Sequence, residues 1–164
     1  IPFDIPGFTL PTVSGTDYKV EQQAEFKQLN TEIVAETDPS AAILEVVEEM
    51  YGGPGYPLSD QVEDFVVDGW NSSSGTVSEQ DVYRDVVGPS CRTCHASQPS
   101  SIAWDDADQW FPGFVGSLVC SQHVMPHAIV THNRFWLSLG PHQPLTLNQY
   151  LDSLSSGSAD DCAP

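Results

Sequence analysis

Ser78-Glu79-Gln80-Asp81-Val82-Tyr83-Arg84-Asp85-Val86-Val87-Gly88-Pro89-Ser90-Cys91-Arg92-Thr93-Cys94-His95 is the stretch on which the fold turns. Ser78 is a good N-cap, and Val82, Tyr83, Val86 and Val87 recur behind it at helical spacing. Gly88-Pro89 predicts a stop, because proline has no N–H to donate and its ring clashes with the carbonyl one turn back. Directly past that stop stand two thiols, Cys91 and Cys94, and then an imidazole, His95.

Cys91-x-x-Cys94-His95 has the spacing of c-type haem attachment. The reason is geometric. On a single helical turn both sulfurs lie on one side, each able to add to one vinyl group of the same haem. The next residue then brings an imidazole nitrogen under the iron, which makes His95 the proximal ligand. The main rival is a tetrahedral zinc site in which Cys91 and Cys94 join Cys120-x-x-His123. That site gives His95 and Met125 no role. A third reading, a Cys91–Cys94 disulfide or redox dithiol, lacks the βαβ surroundings such motifs need.

Outward from this stretch, Met125-Pro126 follows His95 by 30 residues. Thr146 then caps a closing helix with Leu147, Tyr150, Leu151 and Leu154 on one face. In that order the elements resemble class I cytochrome c domains, over about residues 76–156. Residues 1–75, the long loop after His95 and the segment 127–144 lie outside the pattern. The resemblance implies a mainly α fold whose first and last helices cross, and one covalent haem c. It implies Met125 as the second axial ligand, with Pro126 stiffening its loop. It also places the protein outside the cytoplasm, periplasmic or extracellular.

Rivals for the distal position remain. His127 and His123 lie closest to Met125, with His132 and His142 beyond them, although loop histidines are more often hydrogen-bonded surface groups. Met50 sits on an amphipathic stripe and reads as packing. Arg134 is the candidate partner of a haem propionate, since a guanidinium fork suits a carboxylate, and Arg92 is the second candidate; a solvated arginine is the commoner reading of either. Trp104, Trp110, Phe114 and Trp136 are candidate haem walls, a role that merges with core packing. Cys120 and Cys162 are the leftover pair, expected in an oxidising compartment to form a disulfide that braces the Met125 loop.

Acids outnumber bases 23 to 5, a formal charge of −18. That excludes a nucleic-acid reader, which needs a basic stripe, and argues against an anionic membrane surface. Hydrophobic residues make up 40 % of the chain, enough for a packed core, and no apolar run approaches a transmembrane span. The first residue is Ile1, with no signal-like segment after it; the chain is expected to be a processed mature protein or a fragment, and the cysteines favour processing.

The remaining punctuation sets the organisation. Pro2, Pro6 and Pro11 alternate with Phe3, Ile5, Phe8, Leu10 and Val13, predicting an extended arm over 1–17 that wraps its own domain or crosses to a neighbouring copy. A helix over 19–36 would carry Phe26, Leu29 and Ile33. Asp38 as cap and Pro39 as first residue predict a second, with Ile43, Val46, Val47 and Met50 on its stripe, stopped by Gly52-Gly53-Pro54-Gly55. Ser59 opens another, with Val62, Phe65 and Val66 facing inward. Residues 71–75 are a loop that also carries the Asn71-x-Ser73 acceptor pattern. Residues 96–124 are mostly loop, in which Asp105, Asp106 and Asp108 read as a solvated cluster rather than a calcium site. Residues 128–139 are helical, and 155–164 form a polar tail. Nothing reads firmly as a strand.

The predicted fold is therefore mainly α, a cytochrome-c-like haem domain with long loops and an N-terminal helical or extended extension. Its parts are an arm with a possible helix (1–37), a helical haem domain (38–157) and a polar tail (158–164). The expected function is electron transfer rather than catalysis, with a redox partner protein or a neighbouring cytochrome. One alternative is a homopolymeric electron-conducting assembly, a homo-oligomer or filament joined through residues 1–17. Others are a haem with an open distal site for a small ligand, and the zinc module.

Overall fold

A computed structural model describes residues 12–13, 16–17, 22–96, 103–110, 115–137, 143–154 and 162. The protein is mainly helical. It divides into two compact units, Ile1–Val67 and Asp68–Pro164. The two helices that the sequence reading assigned to different regions, either side of residue 37, fall together in the first.

In the first unit Thr12–Val13 and Thr16–Asp17 pair antiparallel, a short ladder where only extended chain was predicted. The rest of the 1–17 arm lies outside the described residues. The first helix runs Gln23–Glu36. Its predicted apolar stripe does not seat it, since Leu29 is exposed and Phe26 and Ile33 are only half-buried. Polar groups do. Asn30 is fully buried, with Nδ2 donating to the Tyr51 hydroxyl at 3.1 Å. Lys27 Nζ donates to the Tyr56 and Leu58 carbonyls, both at 2.7 Å, and lies 5.6 Å above the Tyr51 ring.

The second helix, Ala41–Met50, buries Ile43, Val46, Val47 and Met50 as its spacing predicts. Its cap is Ser40 rather than Asp38. Ser40 is extended, and its hydroxyl accepts from the Ile43 N–H, so Pro39 stands before the cap instead of inside the helix. No helix opens at Ser59. After Tyr51 the chain turns through Gly52, Gly53 and Gly55, all at positive φ, and bonds back onto the helix end. Leu58 N–H donates to the Tyr51 carbonyl at 3.0 Å and Val62 N–H to the Met50 carbonyl at 2.8 Å. Those bonds satisfy carbonyls a helix end leaves unpaired, and they hold 58–62 out of helical geometry. Phe65, Val66 and Val67 are then buried in succession, which no helical face permits.

The second unit is organised by Trp70, which is fully buried. Its Nε1 donates to the Trp104 carbonyl at 3.0 Å, and its ring lies 5.8 Å from Tyr83 and 5.4 Å from Trp110. The preceding Gly69 lets two backbones meet, because a Cβ there would collide with the Asp105 carbonyl. Ala107 N–H donates across this approach to the Gly69 carbonyl at 3.0 Å. Asp106 receives the Asp108 and Gln109 N–H groups, so this acidic residue caps the short helix Ala107–Trp110.

Ser78 and Asp81 close a reciprocal capping box at the start of Glu79–Val82. The helix does not stop at Gly88-Pro89 as predicted. It widens to π geometry over Tyr83–Arg92 and returns to α over Thr93–His95. The wider turn accommodates a proline with no N–H and a ring that crowds the turn before it. Gly88 leaves room on that side, since a Cβ there would sit 3.2 Å from the Tyr83 carbonyl.

The last helix runs Gln143–Leu154, starting ahead of the predicted Thr146 cap, with Pro144 in its first turn where a missing N–H is harmless. It buries Leu147, Tyr150 and Leu151 but leaves Leu154 exposed. Ser90 Oγ donates to Gln143 Oε1 at 2.6 Å, and Tyr150 Oη donates to Glu79 Oε1 at 3.3 Å. The start of one helix thus meets the end of the other, and the two run antiparallel. Ile129–Leu137, within the predicted 128–139, packs on both. Among the described residues no helix is long and apolar enough to cross a membrane.

Candidate functional site

The widened helix carries Cys91 to its end, and the α turn that follows carries Cys94 and His95. One continuous stretch of helix therefore presents both thiols and the imidazole. Cys91 is half-buried and Cys94 exposed. Enclosure of the Cys91 thiol, and secondarily the proximity of Cys94, pushes it up to about 12. A thiol held neutral in this way is not the thiolate that redox dithiols rely on. His95 is half-buried, and its pKa is held below the ordinary histidine value, first by burial and then by the charge of His127. The imidazole thus keeps a lone pair free, as a metal ligand must.

That second cause also places His127 within electrostatic reach of His95. His127 itself is exposed, and so is His123. Met125 is half-buried, and its carbonyl accepts a hydrogen bond from Trp136 Nε1 at 3.1 Å. The His123 ring lies 4.1 Å from the Trp136 ring at 36°, on a backbone at φ 51. Trp136 thus fixes both sides of the 123–125 loop from the neighbouring helix. The sequence reading offered Trp136 only as a wall. Its spacing from Met125 held no signal for a side-chain to backbone bond.

Cys120 and Cys162 are joined as a disulfide, the pairing expected for the leftover cysteines. Cys162 is buried, and its N–H donates to Asn148 Oδ1 at 3.1 Å, so this part of the 158–164 tail is anchored on the last helix. The disulfide removes Cys120 from the zinc set of Cys91, Cys94, Cys120 and His123. Among the described residues no group of three or more His, Cys, Asp or Glu is gathered to hold a metal.

Arg92 is buried, with Nη1 donating to the Tyr83 hydroxyl at 3.0 Å and its guanidinium 5.8 Å from that ring, so it is a structural tie inside the helix. Arg134 is exposed on Ile129–Leu137. Of the candidate walls, Trp104 and Trp110 are buried around Trp70 and Trp136 is half-buried; Phe114 and His142 lie outside the described residues. Met50 is core of the first unit, as its stripe predicts. The sequence reading offers His132 only as a distant rival for the distal position, and the burial of its Nδ1 leaves no mark in the sequence. His132 Nδ1 is buried without a hydrogen-bond partner among the described residues, its ring 6.5 Å from Trp136. Asn71 is exposed, with Nδ2 on Asp68 at 2.9 Å.

Comparison with family models, with curated proteins and with solved structures returned no match.

Proposed function

We propose that the protein is an extracytoplasmic electron carrier with one haem c held by thioethers to Cys91 and Cys94 and by His95 as proximal ligand. The observation that carries this reading is the placement of those three groups on one continuous helical stretch, while the other two cysteines are bonded to each other. The donor set fits the group: two thiols outside the disulfide, and an imidazole that burial keeps neutral. The resemblance implies first and last helices that cross; in the second unit they pack antiparallel, so the cytochrome-c-like reading rests on the attachment motif and not on the helix packing.

A haem at this site would supply an Fe(III)/Fe(II) couple. The chain's part is to hold and orient. His95 offers its nitrogen from a half-buried turn. Trp136 stations the Met125 backbone, which makes Met125 the proposed distal ligand. Arg134 is the proposed propionate partner. His127 is a second reading for the distal position, favoured by its electrostatic reach to His95. The excess of acids steers a cationic redox partner, with association that weakens as salt rises.

Produced in a host that matures c-type haem, the protein is expected to give a reduced-minus-oxidised haem spectrum and to keep its colour through denaturation. Cys91→Ala with Cys94→Ala is expected to lose that retained colour. Met125→Ala is expected to remove a near-infrared sulfur-to-iron band. An absent band in the parent protein, with a spectrum altered by His127→Ala, gives the distal position to His127. A colourless parent protein overturns the proposal.

A further inference from the structure

We infer that the outer face of Ile129–Leu137 is a self-association surface, joining two copies of this chain face to face. Ile129 and Val130 are each 71 % exposed and Leu137 is 69 %, the three most exposed large apolar side chains among the described residues. Asn133 and Arg134 are exposed with them. At helical spacing these five positions fall on one side of the helix, while Phe135 is buried on the other. A soluble surface rarely gathers apolar groups in this way without something to cover them.

Charge points to the occupant. Residues 109–151 contain no Asp or Glu, although the chain holds 23. The face therefore lies in the middle of the long acid-free stretch of an otherwise acidic protein. A cationic partner would be drawn to the acids elsewhere and gains nothing here. Arg134, the only charged side chain there, falls at the edge of the face by helical spacing, which leaves it to the propionate role proposed above. An acidic partner with an acid-free apolar patch of its own fits, and a second copy brings that patch. A two-fold arrangement sets the same helix face against itself. The long-range repulsion between two copies of charge −18 opposes this contact, so salt should strengthen it.

Sedimentation of the whole protein across a salt series tests the inference, and it is independent of the haem, whose presence is read from colour. Raising salt from about 0.01 M to about 1 M shortens the screening length from about 30 Å to about 3 Å. The apparent dimer dissociation constant is expected to fall by about tenfold or more over that range. Val130→Asp with Leu137→Asp is expected to stay monomeric at every salt concentration, with unchanged far-ultraviolet circular dichroism. Leu137→Gln, a milder change at an exposed position, is expected to weaken the dimer partly and covers the case of a double variant that folds poorly. A parent protein that is monomeric throughout, a dimer that weakens with salt, or an association that survives both variants overturns the inference.

Discussion

The two units of the chain differ in kind. Ile1–Val67 contains no cysteine, histidine, tryptophan or arginine, and its two cations are Lys19 and Lys27. Asp68–Pro164 holds all four cysteines, all five histidines, all four tryptophans and all three arginines. Every thiol and imidazole is therefore in the second unit, and of the two methionines Met50 is buried in the first. The backbone differs as well. The first unit is built on ordinary α-helices, whereas the second widens its helix through Gly88-Pro89 just where it delivers Cys91. The proposed site and the irregular geometry coincide, and π turns are frequent at functional sites.

The sharpest way to press this comparison is Trp70→Ala. It empties the centre of the second unit and removes the bond to the Trp104 carbonyl, and should cost about 3–5 kcal/mol. Denaturant titration followed by hydrogen exchange is expected to show loss of protection over 78–95 with Ala41–Met50 spared. Equal loss in both would break the distinction between the units.

Cys120→Ala with Cys162→Ala comes next. The disulfide spans 42 residues, and its removal should lower stability by about 2–4 kcal/mol in the unfolding midpoint of the second unit. An unchanged midpoint would mean that the tail anchor is decorative. Ser40→Ala addresses the first unit alone. Loss of the cap should cost about 1 kcal/mol and loosen Ala41–Met50 without altering the optical spectrum.

The smallest effect is a pH dependence. The Ser78 hydroxyl, then the Ser78 N–H, hold the Asp81 carboxyl below its ordinary pKa. A depressed folded-state value means that the stabilisation is complete above the ordinary carboxylate range and is lost as pH falls through the folded value. The stability gap between the parent and Asp81→Asn should therefore close on acidification. A gap that widens would contradict the capping assignment.

How much of this was legible in the residues follows from where each decision is made. Local signals read correctly: the Ile43, Val46, Val47 and Met50 stripe, the Ser78 cap and the leftover cysteine pair. Decisions between competing local bonds, or made by bonds from one segment to another, did not. Asp38 and Ser40 are both good caps, and only the bond from Ile43 N–H distinguishes them. The Ser59 helix fails because Leu58 and Val62 are claimed by the Tyr51 and Met50 carbonyls. Pro89 ended the helix on paper because a change of helical pitch leaves no mark in hydrophobic spacing. At the proposed site, Cys91, Cys94 and His95 are neighbours in sequence, so the proposal could be made without the fold. The hold of Trp136 on the Met125 carbonyl, and the electrostatic influence of His127 on His95, are set by the fold and needed coordinates.

The central claim is a covalent one, and the most direct test is the intact mass of the denatured protein from a host that matures c-type haem, measured beside the Cys91→Ala, Cys94→Ala variant. The account predicts a parent mass above the polypeptide by one haem and a variant at the bare polypeptide mass. A parent protein at the bare polypeptide mass would contradict it.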